Sequence, residues 1–229
     1  MKIHDILEEQ QVLEGPNDPH IFKAVFLAGG PGAGKSYVAG KLLSGQGLRP
    51  LNSGDVYEYL AKKHNMDLGD PDVVGSDKGQ EIRNRAKEIT KTREDLYLDG
   101  RLGLIIDGTG KDITKVSQAK NQLNELGYDT MMLFVNTSED VAQERNLQRP
   151  RTIPAEMVTK MWQRVQQNIM KFQQVFGAAM FHVVDNSGGL EDPDRKENFD
   201  TVYKEIRKFL GKPPSKRAAK AWLDKNTKT

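Results

Sequence analysis

A glycine-rich segment, GGPGAGKS, occupies residues 29–36, between an apolar run at 21–28 and a helix-compatible stretch at 37–43. Backbone N–H groups in a loop of this kind can wrap around phosphate oxygens. Lys35 can then reach the terminal phosphates, and the Ser36 hydroxyl can reach a magnesium ion. The predicted triphosphate-binding residues are Gly29, Gly30, Pro31, Gly32, Ala33, Gly34, Lys35 and Ser36. A glycine-rich turn without a ligand is the alternative, but the match at both ends of the segment favours a nucleoside triphosphate site.

Five apolar runs have the length of strands, and helix-length amphipathic segments separate them. The runs are Phe22–Ala28, Leu48–Asn52, Leu102–Asp107, Met131–Asn136 and Phe181–Asp185. This alternation predicts an α/β fold with a parallel five-stranded sheet and helices on both faces. Because ligands of such sheets gather at the carboxyl ends of the strands, we expect the polar residues that follow the runs to converge near the glycine loop.

The chain has 229 residues, which favours one domain with peripheral additions. We predict an N-terminal extension at 1–20 that starts with a short amphipathic helix, a main domain at 21–211 and a basic tail at 212–229. The apolar runs are far shorter than a membrane span, and the acidic N-terminus is unlike a secretory signal. A cytoplasmic location is therefore expected. The sequence has no cysteine, which excludes disulfides and thiolate chemistry.

The net charge of +2 is unevenly distributed, because residues 212–229 contain six Lys or Arg and one Asp. This local charge of +5 leaves about −3 for the rest of the chain. The tail could contact nucleic acid weakly through phosphates, but Pro213 and Pro214 favour a solvated terminus. The acidic body slightly favours small substrates, whereas the basic tail slightly favours polymers.

Two aspartates follow predicted strands. Asp107 ends the run LGLIID beside the glycine loop, where it could hold magnesium directly or through water, and Thr109 follows as a further ligand-binding candidate. Asp55 follows the second run, in the segment SGD. If phosphate is transferred to a hydroxyl, Asp55 is the best candidate to orient that hydroxyl and accept its proton. The alternative is that both aspartates cap a local turn or helix.

Three arginines, Arg145, Arg149 and Arg151, lie in the segment ERNLQRPRTIP. Its prolines predict a loop at about 145–154, after a helix that ends near residue 147. Guanidinium groups on a movable lid suit a transition state that spreads negative charge over phosphoryl oxygens. A solvated basic loop is the alternative reading.

Helix boundaries follow from the spacing of apolar residues and from turn-forming residues. A single long helix is predicted from Ala155 to Phe176, with Trp162 on its buried face. Residues 65–78 are rich in Gly, Pro and Asp and predict a mobile loop, which precedes a helix over about 81–98.

Taken together, the motifs resemble the zeta toxin family of P-loop kinases and, nearly as much, the kinase domain of phage-type polynucleotide 5′-hydroxyl kinases. The motifs are GGPGAGKS, NSGD, LIIDGTG, VNTSEDVAQERN and RPRTIP, and the resemblance covers about residues 21–185. It implies a three-layer P-loop kinase fold with an arginine-bearing lid, and ATP and Mg²⁺ as cofactors.

The resemblance also implies roles for single residues. Lys35 and Ser36 would contact phosphate and magnesium, Asp55 would activate the acceptor, and Asp107 would be the acidic residue at the strand end. The two zeta lid arginines would correspond to Arg145 and Arg151, whereas Arg149 would match the lid arginine of polynucleotide kinases.

One departure concerns the residues after the second strand. Polynucleotide kinases typically have an Asp-Asp pair followed by Tyr-Arg, but here the sequence continues Gly54-Asp55-Val56-Tyr57-Glu58. The arginine that would grip a substrate phosphate is therefore missing, and Glu58 would repel that phosphate.

Three functions stay open on the sequence alone. The first is a kinase that phosphorylates a hydroxyl of a nucleotide or nucleic acid, including a hydroxymethylated base in DNA. The second is a kinase for a nucleotide sugar, UDP-N-acetylglucosamine, as zeta toxins use. The third is a nucleotide-binding switch or assembly factor, against which Asp55 and the arginine-bearing segment argue.

Overall fold

The computed structural model describes residues 16–149 and 152–227, and its centre is a five-stranded, all-parallel sheet. The strands are β1 (Lys23–Ala28), β2 (Arg49–Leu51), β3 (Leu104–Asp107), β4 (Asp129–Asn136) and β5 (Phe181–Asp185), in the spatial order β2-β3-β1-β4-β5. The five predicted strands and the parallel sheet are confirmed.

Helices connect the strands and continue after β5. They are α1 (Lys35–Leu42), α2 (Ser53–Lys63), α3 (Pro71–Gly75), α4 (Asp77–Asp99), α5 (Ile113–Glu125), α6 (Glu139–Leu147), α7 (Ala155–Gln166), α8 (Ile169–Phe176), α9 (Pro193–Leu210) and α10 (Arg217–Asn226), with a 3₁₀ turn at Ala178–Met180. No helix in the described part of the chain combines the length and apolar character needed to span a bilayer.

Alternate residues of β1 enter two different cores. Ala24 and Phe26 face a core that also contains residues of α5, α8 and α10, while Val25 and Leu27 face a core completed by α1 and α9. A strand buried on both faces reads as a continuous apolar run, which is why the sequence predicted it. The three-layer α/β architecture is confirmed.

A third, smaller core joins α2 to the first half of α4. It is formed by Val56, Tyr57, Leu60, Ile82, Ala86 and Ile89. Because α2 begins directly after β2, this core fixes the first turn of α2 at the carboxyl end of the sheet.

The prediction of a mobile loop at residues 65–78 was wrong for the second half of this range, because that half contains α3 and the start of α4. Asp70 caps α3 by accepting a hydrogen bond from the Asp72 N–H at 2.9 Å. Ser76 caps α4 by accepting one from the Gly79 N–H at 3.1 Å. Polar residues that suggested a loop instead satisfy the free N–H groups of two helix starts.

The single helix predicted from Ala155 to Phe176 was also wrong, because α7 ends at Gln166 and α8 begins at Ile169. Between them Asn168 is buried, and its Nδ2 donates to the Gly110 carbonyl at 3.0 Å. At this junction the Asn168 N–H donates to the Val165 carbonyl, three residues back, at 3.0 Å, so α7 ends in a tighter turn than the regular α-helical pattern.

The prediction of a solvated terminus after residue 211 was wrong for the described residues. Ala219 of α10 is buried, and the Trp222 ring contacts Phe22 edge-on at 5.5 Å. The Ser215 N–H donates to Asp129 at 3.0 Å. Phe22 and Asp129 lie at the amino ends of β1 and β4. The tail therefore packs at the amino ends of the strands, whereas the glycine loop lies at their carboxyl ends. The N-terminal helix predicted near residue 3 lies outside the described residues.

Candidate active site

The glycine loop connects the end of β1 at Ala28 to the start of α1 at Lys35. Gly34 has a φ of 84°, and a Cβ there would come within 2.3 Å of the Asn186 amide nitrogen. Only glycine satisfies both demands without strain. The Lys35 Nζ donates to the Gly29 carbonyl at 3.0 Å, so the ammonium group lies across the loop. Ser36 is exposed in the first turn of α1.

The charge of Lys35 is poorly solvated. Burial lowers the pKa of Lys35, the carboxylate of Asp107 opposes this change, and the positive charge of Arg149 adds to it. A desolvated ammonium group regains favourable interactions when an anion enters the site. The loop is therefore electrostatically suited to phosphate.

Asp55 and Asp107 lie beside this loop and share one partner, Asn52. The Nδ2 of Asn52 donates to Asp55 Oδ1 at 3.0 Å and to Asp107 Oδ2 at 2.8 Å. Asp107 is the last residue of β3 and is paired in register with Leu27 of β1. The rule that ligand-binding residues gather at the carboxyl ends of strands thus brings both predicted carboxylates together.

Asp107 has an oxygen suited to a cation. Its Oδ1 is buried and has no hydrogen-bond partner among the described residues. Burial raises the pKa of Asp107, Lys35 opposes this, and Asp55 adds to it. A magnesium ion held jointly by nucleotide phosphates, Ser36 and Asp107 would satisfy that oxygen. In the described ranges no group of three or more His, Cys, Asp or Glu could hold a metal, so a magnesium ion here would draw its remaining ligands from phosphate oxygens and water.

Asp55 is in the first turn of α2. Partial desolvation, and then the negative charge of Glu58, raise the pKa of Asp55. Its side chain remains accessible to solvent, as an acceptor-activating base must be. Thr109 is half-buried in the loop after β3, at the same edge of the sheet.

The predicted arginines are distributed over α6 and the segment after it. Arg145 extends from α6 toward the glycine loop: its Nη1 is buried without a partner in the described part of the chain and lies 3.6 Å from the place a Cβ on Gly34 would take. Burial, followed by the charge of Arg195, lowers the pKa of Arg145. Arg149 follows α6 and is exposed, close enough to affect Lys35. Arg151 lies outside the described residues.

The side chain of Asn146 links the two ends of the arginine-bearing segment by hydrogen bonds to the backbone of Ile153. Asn146 donates from Nδ2 to the Ile153 carbonyl at 2.8 Å and accepts at Oδ1 from the Ile153 N–H at 3.2 Å. Asn146 therefore joins the end of α6 to the residue that precedes Pro154 and the start of α7. The movable lid stays a prediction.

Three residues at the site were not identified from the sequence. Asn52 was assigned only to the end of a strand. Asn186 donates to the Ala33 carbonyl at 2.7 Å and accepts from Arg195 Nη2 at 2.9 Å. The Arg195 guanidinium lies over the rings of Tyr37 and Phe199, at 5.1 and 4.7 Å from their centroids. Asn186 follows β5 directly, so applying the strand-end rule to the fifth run would have found it.

A cavity of about 520 Å³ lies between α2 and α4, lined by residues that include Leu60, His64, Glu81 and Arg85. None of its lining residues belongs to the glycine loop or to the Asp55–Asp107 pair. Proximity to the phosphate loop rather than size therefore identifies the candidate site.

The parallel sheet, the phosphate loop after β1 and the acidic residue at the end of β3 define a P-loop kinase-like α/β protein. The chain belongs to the zeta toxin family, whose family model matches residues 6–198.

Solved structures share this fold. The PezAT toxin–antitoxin system of Streptococcus pneumoniae has a similar chain with a TM-score of 0.57 at 14% identity, covering 92% of this chain and 95% of that one. A complex of AvrRxo1-ORF1 and AvrRxo1-ORF2 with ATP has a TM-score of 0.57 at 15% identity, covering 99% and 89%.

Curated relatives are nucleotide kinases. The adenylate kinase of Prochlorococcus marinus (strain NATL2A) is 23% identical over 195 residues, which span 82% of this chain and 99% of that protein. The cytidylate kinase of Methanocorpusculum labreanum is 31% identical over 86 residues, 34% of this chain and 46% of that protein. These likenesses agree with a nucleotide-binding, kinase-like site.

Proposed function

We propose that this protein is a magnesium-dependent kinase that transfers the γ-phosphate of ATP to a hydroxyl of a small nucleotide-type acceptor, with UDP-N-acetylglucosamine as the first candidate. The observation that carries this proposal is the pair of carboxylates, Asp55 and Asp107, that Asn52 holds beside Lys35. One carboxylate suffices for a nucleotide switch, whereas acceptor activation requires a second one.

Each group has a separate task in this reaction. The amides of the glycine loop and Lys35 bind the triphosphate, and Arg145 and Arg149 stabilise charge on the transferred phosphoryl group. The acceptor oxygen bonds to the γ-phosphorus while the bond to the β,γ-bridging oxygen breaks and ADP leaves, and the hydroxyl proton passes to Asp55. Ser36 and Asp107 would hold magnesium, which neutralises charge on the phosphate oxygens.

A neutral hydroxyl suits this site better than a phosphate. Asp55 and Glu58 place negative charge on the acceptor side, and like charges at short range repel a phosphorylated group. The membership of the zeta toxin family adds support for a nucleotide sugar, which is the acceptor implied by that resemblance.

Position argues against a polymer bound by the basic tail. The six residues of β1 separate the α10 end of the sheet from the glycine loop by about 20 Å. The positive charge of the tail is therefore no longer an argument that the substrate is a polymer. We favour small acceptors over nucleic acids.

The proposal is tested by offering γ-labelled ATP with UDP-sugars, nucleosides, nucleoside monophosphates, RNA, and DNA with and without hydroxymethylated bases. We expect label on a UDP-sugar, and transfer about 10²-fold slower for Asp55→Asn with ATP binding within a few-fold of wild type by calorimetry. Asp99→Asn, an exposed aspartate at the end of α4, is the matched control. Labelling of monophosphates or nucleic acid would contradict the proposal of a nucleotide-sugar acceptor. ATP turnover without any labelled product would favour the alternative function of a nucleotide-binding switch.

A further inference from the structure

Asn52 hydrogen-bonds to both Asp55 and Asp107, although the sequence predicted neither acceptor activation nor magnesium binding for Asn52 itself. We propose that Asn52 is a positioning residue that holds Asp55 toward the acceptor and Asp107 toward the metal. This inference rests on the proposed function, because it assigns a task to each carboxylate. It depends on one amide group contacting both carboxylates, at 3.0 and 2.8 Å.

The orientation of the amide is determined by the backbone. Asn52 is the N-cap of α2, and its Oδ1 accepts a hydrogen bond from the Gly54 N–H at 2.8 Å. With the oxygen committed to the helix start, the nitrogen must face away from it. Rotation of the amide would lose the cap, so the first turn of α2 determines where the two N–H groups point.

A primary amide nitrogen carries two hydrogens, and here each has its own carboxylate. The oxygens that accept them, Asp55 Oδ1 and Asp107 Oδ2, are at most about 6 Å apart. In each carboxylate one oxygen is thereby engaged, and the other remains available. For Asp107 the remaining oxygen is the buried Oδ1 without a partner among the described residues.

Without this shared donor the two carboxylates would be free to turn apart. Both are negatively charged when they act, and repulsion at this distance favours separation. A displacement of about 1 Å at a reacting group can cost about 10²-fold in rate. The amide therefore contributes through geometry, because its two hydrogens and its oxygen are already engaged by Asp55, Asp107 and the Gly54 N–H.

Two substitutions separate positioning from helix capping. Asn52→Ser retains an oxygen that can cap α2, but its single hydroxyl hydrogen cannot be donated to both carboxylates. For this variant we expect kcat to fall about 10- to 100-fold while KM for ATP stays within about 2-fold and the thermal midpoint stays near wild type. Asn52→Ala removes the cap as well, so its thermal midpoint should fall while its kcat matches that of Asn52→Ser.

A second readout does not require turnover. Magnesium binding to the ATP complex is titrated by calorimetry without acceptor, and we expect several-fold weaker binding in Asn52→Ser because Asp107 is no longer oriented. Asn84→Ser, an exposed asparagine of α4, is the matched control and should behave as wild type in every measurement.

The outcomes separate this inference from the proposed function. Wild-type kcat and magnesium affinity in Asn52→Ser would overturn the positioning role and leave Asn52 as a helix cap. If the wild-type protein phosphorylated no acceptor, the proposed function would fail. Weaker magnesium binding in Asn52→Ser would then still support the orientation of Asp107, and unchanged binding would overturn it.

Discussion

The Asp55 carboxyl must be ionised to accept a proton from an acceptor hydroxyl. Its desolvation and the neighbouring Glu58 raise its pKa, while Asn52 donates a hydrogen bond that favours the charged form. Asp107 accepts a hydrogen bond from the same amide, and the positive charge of Lys35 opposes the rise in the pKa of Asp107. The Asp55 carboxyl, which we propose as the base, therefore has a pKa above the ordinary aspartate value of about 4.

The pH dependence of phosphate transfer follows from this charge balance. Because protonated Asp55 cannot accept a proton, kcat/KM should fall as the pH is lowered through the raised pKa. Glu58→Gln removes one cause of that rise, so its acid limb should move to lower pH. Profiles of kcat/KM against pH test this, with Glu125→Gln, an exposed residue at the end of α5, as the control. An unmoved limb in Glu58→Gln would contradict the assignment of Asp55 as the base.

At the scale of secondary-structure elements, the junction of α7 and α8 contacts the loop that follows β3. Gly110 has a φ of 69°, and a Cβ there would lie 3.1 Å from the ring of Phe172 in α8. Asn168 holds the Gly110 carbonyl at the same point. The start of α8 therefore packs against the loop after β3 at Gly110, the residue that follows Thr109.

Asn168→Ala tests the cost of this contact. The substitution leaves the Gly110 carbonyl without its buried donor, so we expect the free energy of unfolding to fall by about 1–3 kcal/mol. Urea denaturation measures the change. Asn121→Ala, at an exposed position of α5, should stay within about 0.5 kcal/mol of wild type. Equal stability of the two variants would show that the contact contributes nothing.

In the molecule as a whole, the two ends of the parallel strands differ in what they carry. The candidate active site lies at the carboxyl ends, and α10 and an ion pair pack at the amino ends. Lys23 is 2% exposed and its Nζ lies 2.8 Å from Asp129 Oδ2, while Asp129 also accepts from Ser215. Burial alone would raise the pKa of Asp129, but the hydrogen bonds from Lys23 and Ser215 outweigh it and lower that pKa.

Stability should therefore depend on pH through Asp129. A pKa lowered in the folded state stabilises the protein above the unfolded value of about 4, and this contribution is lost as the pH falls through the folded pKa. Asp129→Asn leaves the buried Lys23 without its counter-charge, and we expect a loss of about 3 kcal/mol at neutral pH.

Denaturation at several pH values measures this loss. The difference between wild type and Asp129→Asn should shrink below about pH 4. Asp224→Asn, on an exposed position of α10, is the control. A difference that does not change with pH would contradict the role of the ion pair, and transfer activity of the folded variant should be unaffected because the site is at the other edge.

Local patterns in the sequence predicted the five strands, the parallel sheet and the glycine loop, because each depends on residues close together in the chain. The strand-end rule also placed Asp55 and Asp107 at one edge. Their roles, and those of Ser36, Thr109 and the arginines, stay predictions. Asn186 could have been found by applying the same rule to the fifth run, but its partner Ala33 and the Asp107 partner of Asn52 could not, because they are 153 and 55 residues away.

The sequence by itself determined the class of fold and the phosphate loop, since glycine spacing and apolar periodicity are local properties of the chain. Only the tertiary structure decided that one amide joins Asp55 to Asp107, that the predicted long helix is divided into α7 and α8, and that the basic tail docks as α10. Periodicity shows which face of an element is buried, but the partner that covers that face depends on long-range packing, which no short segment encodes.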